Sequence, residues 1–405
     1  MAQRSQSPDA IVVGAGIIGL SVAWQAARRG LAVTVLEREE AGRGTSHVAA
    51  GMLAPVAEAE FGEAGRHLLE LGLRSADMWP AFAAELEAAA GVEVGLMRTG
   101  TLVVARDEDE ARELDRQAAF RDSLGLATSR LRPSEARERE PALAPTIRLA
   151  LEASEDHSVD PRRVLAALRR ACVDAGVVLR ERTPVARLQL DAAGRRLAGV
   201  ALRGADGDRH LLAATRVIIA AGAWSGELDG LPPAARVPVR PVKGQILRLR
   251  DPAGPGLLGR VVRFAGGYLV PRTDGRYVLG ATVEERGFEL RPAVGGVYRL
   301  LRDAHEVLPG VSELEIEELC VGLRPGTPDN VPVIGRGSPE GLIWATGHHR
   351  NGILLAPLTA ALVVDMLARE GPVDPLLPAC SPMRFTAAGA RPGAIHPVAA
   401  QAGPS

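Results

Sequence analysis

The sequence predicts an α/β protein in which a parallel, doubly wound sheet is joined to a second, mainly antiparallel sheet. Near the start of the chain, an apolar run, a helical period and a second apolar run follow one another. This order within about 30 residues is the pattern of a β-α-β unit. Further along, similar pieces alternate with stretches of short strands, which is typical of two interleaved domains. With 405 residues, the chain is long enough for both.

The β-α-β unit is the clearest element. Residues 9–13 form an apolar run that ends at a glycine, as expected of a buried parallel strand. Residues 17–29 have helical periodicity and stop at Gly30, and residues 32–36 are a second apolar run. The sequence therefore predicts a strand, a helix and a parallel strand in this order.

The remaining elements follow from the same patterns. A helix is expected to begin at Pro161, with Asp160 as its N-cap. The helix expected over 108–124 is charged and is interpreted as a solvated face. The predicted helices cover 63–90, 108–124, 133–140 and 161–176, with a last apolar one from Asn351. The predicted strands cover 101–105, 177–180, 185–190, 199–202, 210–213, 217–221, 245–249, 267–271, 277–281, 331–334 and 342–345.

Composition excludes several classes of function. The 48 basic and 49 acidic residues leave a net charge of −1, so no electrostatic case exists for a nucleic-acid partner. Cys172, Cys320 and Cys380 lie far apart, which excludes a disulfide framework and a zinc ribbon. The most apolar late stretch, 353–367, is too short to cross a bilayer, and no targeting segment is visible. We expect a cytoplasmic protein without membrane insertion and with a disordered tail over 386–405.

The motif that carries chemistry is the run Gly14-Ala15-Gly16-Ile17-Ile18-Gly19 between the first strand and helix. Glycines serve the tight turn, the approach to a pyrophosphate and the contact of helix with strand. The helix N-terminus offers N–H groups to phosphate. Glu37 follows the second strand, where an acid binds a ribose diol. The sequence therefore predicts a Rossmann-type dinucleotide-binding domain.

Two further strand ends favour FAD over a nicotinamide cofactor. The apolar strand 217–221 ends in a turn of small residues, and the run 344–348 is a strand that ends in glycine. An extended FAD touches several such strand ends. The predicted FAD-binding domain is discontinuous, and the mainly antiparallel substrate-binding domain is inserted into it. The FAD-binding domain is expected from 8–94, 151–236 and 321–372, and the substrate-binding domain from 95–150 and 237–320.

The chain also resembles the D-amino-acid-oxidase-like flavoenzymes, and within them the branch that oxidises glycine. The resemblance extends from residue 9 to about residue 372 and is carried by five segments besides the glycine motif. These segments are 45–53 (TSHVAAGML), 241–245 (PVKGQ), 268–272 (YLVPR), 322–327 (GLRPGT) and 347–357 (GHHRNGILLAP).

This resemblance implies roles for individual residues. Arg324 and Arg350 match arginines that contact substrate, and Tyr268 matches a tyrosine of the same pocket. The residues expected at FAD, with the glycines of the motif, are Gly14, Gly16, Ile17, Ile18, Gly19, Glu37, Arg38, Thr45, Ser46, Ala50, Gly51, Met52, Val185, Gly347, His348, His349, Arg350, Asn351, Gly352, Ile353 and Leu354. Some relatives attach flavin through a cysteine. Cys320 does not match that position, so FAD is expected to be noncovalent and Cys320 a packing residue.

The chemistry gives the arginines a reason of their own. An amino-acid substrate has one fixed anion, its carboxylate, which a planar guanidinium grips with two parallel hydrogen bonds. Such a grip aims the substrate Cα–H at the flavin. No convincing side-chain base is visible, and none is needed if the amine enters neutral. Tyr268 is also compatible with simple strand packing. His348 and His349 are adjacent and lack a third ligand, so no metal site is expected.

Three functions remain open. The first, implied by the resemblance, is FAD-dependent oxidation of glycine, sarcosine or small D-amino acids by O2, with hydrogen peroxide as product. The imine would supply thiazole formation in thiamine biosynthesis or hydrolyse to glyoxylate, and the enzyme would be a homotetramer. The second is a D-amino-acid dehydrogenase that passes electrons to a quinone. The third is a flavin-binding subunit in RNA modification, which the neutral charge and the Arg324/Arg350 pair disfavour.

Overall fold

A computed structural model describes residues 7–203, 209–368 and 374–385. The expected tail over 386–405 lies outside these residues. The strands are β1 Ala10–Val13, β2 Val33–Leu36, β3 Met52–Leu53, β4 Thr101–Ala105, β5 Ser129–Leu131, β6 Leu149–Ala153, β7 His157–Ser158, β8 Val178–Arg180, β9 Val185–Leu190, β10 Leu197–Arg203, β11 Arg209–Ala213, β12 Val217–Ile219, β13 Arg240–Arg250, β14 Val261–Phe264, β15 Gly267–Pro271, β16 Arg276–Gly280, β17 Glu315–Gly326, β18 Val333–Arg336 and β19 Leu342–Thr346. The α-helices are α1 Ile17–Arg28, α2 Thr45–Val48, α3 Gly62–Ala90, α4 Glu108–Ser123, α5 Pro133–Arg139, α6 Pro161–Asp174, α7 Val294–Val307, α8 Ala356–Ala368 and α9 Leu377–Cys380.

A six-stranded sheet with the order β18-β19-β12-β1-β2-β8 forms the first layer. All neighbours are parallel except β18 and β19. Helices α1, α3, α6 and α8 cover one face, where Trp24, Trp79 and Leu20 are buried in one core. The small sheet β11-β10-β9 contributes Leu188 and Val200 to the core on the other face. Both faces of the parallel strands are therefore buried, which explains why each strand reads as a continuous apolar run.

An eight-stranded sheet with the order β17-β13-β16-β15-β14-β4-β6-β5 forms the second layer. Its neighbours are antiparallel except β14 and β4. Helices α5 and α7 pack against it through a core that includes Tyr277 and Leu300. The predicted fold class, a Rossmann-type domain joined to a mainly antiparallel sheet, is confirmed. The predicted domain boundaries stay a prediction. Strand β6 spans the boundary predicted at 150/151, and strand β17 spans the one predicted at 320/321.

Three local predictions differ from the structure. The last apolar helix starts at Ala356 and not at Asn351, because the Leu354 carbonyl accepts hydrogen bonds from Ser75 and Trp79 of α3 instead of helical N–H groups. Helix α7 is not among the predicted helices and lies within 237–320, which was assigned to the mainly antiparallel domain. Helix α4 is not wholly solvated, since Arg121 is buried with 2% of its surface exposed.

No helix in the described ranges has the length and apolar character that crossing a membrane requires.

Candidate active site

The glycine-rich turn between β1 and α1 is tightly enclosed. Gly14 has a φ of +104°, and a Cβ there would lie 2.5 Å from the carbonyl oxygen of Ala220. A Cβ on Gly19 would lie 1.9 Å from the Gly14 oxygen. Only glycine fits either position. The first turn of α1 also faces α2, since the Ile17 N–H donates to Ser46 Oγ at 3.1 Å.

Glu37 lies at the end of β2 and reaches this turn. Its Oε2 accepts the Ala15 N–H at 2.8 Å, and Oε1 accepts the Glu39 N–H at 3.1 Å. The neighbouring Arg38 stacks on the indole of Trp224, with its guanidinium carbon 3.7 Å from the ring centroid. The acid thus stands beside the glycine motif, as its spacing predicted.

The stretch 183–185 is tied to the same end of β2. The Thr183 N–H donates to the Glu37 carbonyl at 2.7 Å. Val185, the first residue of β9, is half-buried two residues further on. This pairing brings Val185 to the edge where the glycine turn lies.

The segment 45–52, which includes α2 and β3, joins the two large sheets. Thr45 Oγ1 donates to the Leu323 carbonyl at 2.8 Å. The His47 carbonyl accepts Arg248 Nη2 at 2.8 Å, and the Ala50 carbonyl accepts Arg272 Nη2 at 2.5 Å. Gly51 has a φ of +84°, and a Cβ there would lie 2.1 Å from the Val159 oxygen. Side chains of the second sheet therefore hold the backbone of this segment.

The segment 347–354 follows β19 and forms a turn. His348 and His349 lie in this turn, after the end of β19. The His349 N–H donates to the Pro325 carbonyl at 2.9 Å, and the buried His348 Nε2 lies 3.0 Å from Thr359 Oγ1. Burial lowers the pKa of each imidazole to about 3, and Arg350 adds to the effect at His349. Both rings are neutral at pH 7. Among the described residues, no cluster of potential metal ligands is present.

These segments meet at the carboxyl edge of the parallel strands, beside the second sheet. This edge is where α/β folds bind nucleotides. A glycine turn without room for Cβ atoms, the N-terminus of α1 and an acid beside them fit a dinucleotide such as FAD. The structure places the predicted cofactor residues along one edge, although their individual contacts with FAD stay predictions.

Arg324 projects from β17 beside its neighbour β13. Its Nη1 donates to the Thr282 carbonyl at 3.0 Å, which fixes the plane of the guanidinium. A Cβ on Gly244 would lie 2.3 Å from Nη1, so glycine at this position leaves room for the group. Burial lowers the pKa of Arg324, while the nearby Tyr268 raises it, and an arginine keeps its charge throughout. The site therefore contains a fixed, partly buried cation.

Tyr268 on β15 lies next to this cation. A Cβ on Gly280 of β16 would lie 2.8 Å from the phenol oxygen, so the strand pairing makes room for the ring. Burial raises the pKa of Tyr268 against the opposite effect of Arg324. The phenol stays protonated at neutral pH and can donate a hydrogen bond. The role of Tyr268 at the substrate stays a prediction.

Arg350 forms ion pairs with two acids of the protein, and its contact with substrate stays a prediction. Its Nη2 lies 3.1 Å from Glu60 Oε1 and 4.0 Å from Glu58 Oε2, and 34% of its side chain is exposed. The two acids belong to the loop that follows β3. The structure therefore pairs Arg350 with protein carboxylates at the rim of the pocket.

Glu58 is the residue that sequence reasoning missed. Its side chain is 14% exposed and lies 3.2 Å from Arg263 Nη2. Burial by itself would raise the pKa of Glu58, but Arg350, Arg263 and Arg324 outweigh burial and lower it. Glu58 is therefore an anion among three arginines. Its sequence signal was weak, since it is only the first of several acids after the apolar run 52–57.

The fold and this arrangement define a two-domain, dinucleotide-dependent enzyme with a cationic pocket beside the cofactor edge. The chain belongs to the FAD dependent oxidoreductase family, whose model matches residues 9–366. The predicted family and the FAD cofactor are thereby confirmed.

Curated relatives of this chain carry more specific names. It is 36% identical over 373 residues to the glycine oxidase of Geobacillus kaustophilus, covering 91% of this chain and 95% of that protein. It is 32% identical to the glycine oxidase of Bacillus subtilis over 89% of this chain and 93% of that one. It is also 36% identical to the bifunctional protein ThiO/ThiG of Synechocystis over 93% of this chain, but spans only 54% of that protein.

Two solved structures superpose on this chain over most of its length. The crystal structure of the Geobacillus kaustophilus glycine oxidase superposes with a TM-score of 0.84 at 35% identity, covering 93% of this chain and 98% of that one. The L-proline dehydrogenase of P. horikoshii shares the fold, with a TM-score of 0.80 at 22% identity over 94% of this chain and 98% of that one.

Proposed function

We propose that the protein is a glycine oxidase that also accepts sarcosine or small D-amino acids. The reaction removes two electrons and two protons from the amine to give the imine and reduces O2 to hydrogen peroxide. The imine then hydrolyses to the oxo acid and ammonia, or to glyoxylate and methylamine when the substrate is sarcosine. The observation that carries the proposal is the fixed guanidinium of Arg324 beside the cofactor edge. Similarity to glycine oxidases over 91% of the chain supports it.

Arg324 is the proposed carboxylate ligand. Its Nη1 is anchored to a backbone carbonyl, and the planar group carries further N–H donors in fixed directions. A substrate carboxylate held by this fork has a defined orientation, which is most of what the protein must supply to a hydride transfer. Tyr268 is proposed to donate its phenol hydrogen to the same carboxylate. Arg350, which is paired with Glu58 and Glu60, is proposed to contact the substrate from the rim of the pocket.

The cofactor residues are proposed to act as the resemblance implies. FAD, when bound, supplies the acceptor for the substrate hydride. The glycine turn and the start of α1 would hold the pyrophosphate, and Glu37 the ribose. Residues of 45–52 and 347–354, with Val185, would line the flavin. Attachment is proposed to be noncovalent, since the buried Cys320 lies on β17 with its Sγ 3.8 Å from Arg162 Nη2.

The biological setting is a further part of the proposal. The imine is proposed to supply thiazole formation in thiamine biosynthesis, which the similarity to bifunctional ThiO/ThiG proteins supports. A homo-oligomer, with a tetramer implied by the family resemblance, and a cytoplasmic location are proposed as well. Cys172, Cys320 and Cys380 are free thiols, which suits a reducing compartment.

Peroxide assays test the proposed activity. The purified protein with FAD is incubated with glycine or sarcosine under air, without NAD, and peroxide and oxygen consumption are measured. We expect one peroxide for each oxygen consumed, and no activity after FAD is removed. If glycine reduces the flavin but electrons leave only when a quinone is supplied, the protein is a dehydrogenase. If no amino acid reduces the flavin, amine oxidation is wrong.

A further inference from the structure

The short loop after β3 is held from both sides of its backbone. This loop, residues 54–60, places Glu58 and Glu60 at the rim of the substrate pocket. The Asp156 carboxylate, which is fully buried, accepts the Val56 N–H at 3.1 Å and the Ala57 N–H at 2.5 Å. Both N–H groups of this dipeptide therefore point at one buried anion.

The carbonyl groups of the same dipeptide are bound by arginines. Arg121 comes from α4, on the other side of the loop. Its Nε donates to the Val56 carbonyl at 2.8 Å and its Nη2 to the Ala57 carbonyl at 2.9 Å. Arg263 Nη1 adds a bond of 2.5 Å to the Ala57 carbonyl. The four backbone polar groups of Val56 and Ala57 are thus all bound by charged side chains.

Docking of α4 does not require this arrangement. Leu114 of α4 already packs in a small core with Ala105, Leu149 and Leu151. Burying a guanidinium against neutral carbonyls is costly, and burial lowers the pKa of Arg121. The buried Arg121 therefore serves to fix the backbone geometry of the loop 54–60.

The fixed backbone determines the position of the next residue, Glu58. Glu58 follows Ala57 directly, so the direction of its side chain is set by the fixed peptide. Its carboxylate lies between Arg263, at 3.2 Å, and Arg350, at 4.0 Å. A shift of the dipeptide would remove the anion from Arg350 and leave that arginine without one of its two carboxylate partners.

We infer that Arg121 and Asp156 are positioning residues for the substrate pocket: they hold Val56 and Ala57 so that Glu58 keeps Arg350 in place. The inference rests on the proposed function, because it assumes that the pocket beside Arg324 binds the substrate carboxylate. Neither residue touches that pocket itself. Both act through the backbone of the loop.

A double-mutant cycle in the FAD-loaded enzyme tests this inference. Acetate, a carboxylate of the size of glycine, is titrated and followed by the change in flavin absorbance, and KM and kcat for glycine are measured in parallel. Arg121→Met should raise the acetate Kd and the glycine KM about ten-fold and change kcat less than about two-fold. In a Glu58→Gln background the same substitution should change neither constant further. Arg116→Met, on the exposed face of α4, is the matched control.

Several outcomes would overturn the inference. The first is an Arg121→Met enzyme whose acetate Kd and glycine KM equal those of the parent. The second is an equal rise of both constants when Arg121→Met is introduced into the Glu58→Gln enzyme, which would show that Arg121 is merely structural. If the methionine variant does not fold, Arg121→Lys takes its place in the cycle. Because lysine has one donor group, the acetate Kd and the glycine KM of the Arg121→Lys enzyme should rise about three-fold. If neither constant rises, the inference is contradicted.

Acidity gives a second readout that a packing role would not produce. The groups facing Asp156 are Arg121 from α4, Arg263 from β14 and Glu58 from the loop itself. Burial raises the pKa of Asp156 to about 7, against the lowering by its two N–H bonds and by Arg263. The carboxylate is therefore ionised and binds both N–H groups fully above pH 7, and these hydrogen bonds weaken below pH 7. The acetate Kd of the parent should rise from pH 8 to pH 6, and the Asp156→Asn enzyme should show no such rise.

Failure of the proposed function gives a different pattern. If the parent binds acetate but makes no peroxide from glycine, the oxidase proposal fails while the acetate cycle still decides the role of Arg121. If the parent responds to neither compound, the pocket and this inference both fail.

Discussion

The cofactor cradle, which is the glycine turn 14–19 with Glu37, and the substrate pocket around Arg324 are built in opposite ways. The cradle begins with one local unit, β1-α1-β2, in which Gly14, Gly19 and Glu37 follow one another along the chain and meet through short-range packing. The pocket gathers Glu58, Tyr268 and Arg324 from segments that are far apart in sequence. The cradle depends on backbone geometry and the pocket on charge. Substitutions should therefore separate FAD binding from substrate binding.

The largest effect is expected at the pocket. Arg324→Lys keeps the charge but loses the planar, two-point grip on the substrate carboxylate. Removing a charge-assisted pair costs on the order of 2–4 kcal/mol, roughly 30- to 1000-fold in kcat/KM for glycine. Steady-state peroxide production measures this, with FAD content expected to equal that of the parent. Arg250→Lys, exposed on the neighbouring strand β13, is the control and should leave kcat/KM unchanged.

A smaller effect is expected at the cradle. Glu37→Ala removes the acceptor of the Ala15 N–H and the proposed partner of the ribose. FAD binding should weaken by roughly 1–3 kcal/mol, as measured by titration of the apoprotein. At saturating FAD, kcat/KM for glycine should stay close to that of the parent. Glu39→Ala, its exposed neighbour, serves as the control, and equal losses in the two variants would show that Glu37 has no special role.

The last effect concerns stability in acid. Burial lowers the pKa of His348 to about 3, whereas an unfolded histidine titrates near pH 6.5. Between these values the unfolded chain binds more protons, so this contribution to stability is present above about pH 6.5 and is lost as the pH falls towards 3. At pH 5 the loss should be about 2 kcal/mol. Urea unfolding at pH 7.5 and pH 5 should show a correspondingly smaller loss for His348→Gln. The exposed His210→Gln should behave like the parent, and a parent-like loss in His348→Gln would contradict the assignment.

The same contrast explains what the sequence could predict. The β-α-β unit was predictable because spacing along a strand and a helix determines which residues meet. The motifs around Arg324 and Tyr268 pointed to the pocket through resemblance. Glu58 and Arg121 could not be found in this way, because their roles arise from contacts between distant segments. Arg121 was especially hard to recognise, since every basic residue of the chain except Lys243 is arginine and the helix around it reads as solvated.

Helix α8 shows the same limit within the fold. Its apolar period suggested a start at Asn351, but a carbonyl at Leu354 that serves two side chains of α3 delays the helix to Ala356. In contrast, the helical period of α7 could have been read from Val297, Leu300, Leu301 and Ala304. The late start of α8 depends on tertiary contacts, whereas α7 was predictable from the spacing of its apolar residues.

One crossed measurement tests the central claim most directly. Arg324→Lys and Glu37→Ala are each assayed for FAD affinity and, at saturating FAD, for kcat/KM with glycine. The account predicts a crossed result: the lysine variant loses only kcat/KM, and the alanine variant loses only FAD affinity. Arg324→Lys with parent-like kcat/KM for glycine, or with FAD affinity lost to the same extent as in Glu37→Ala, would contradict it.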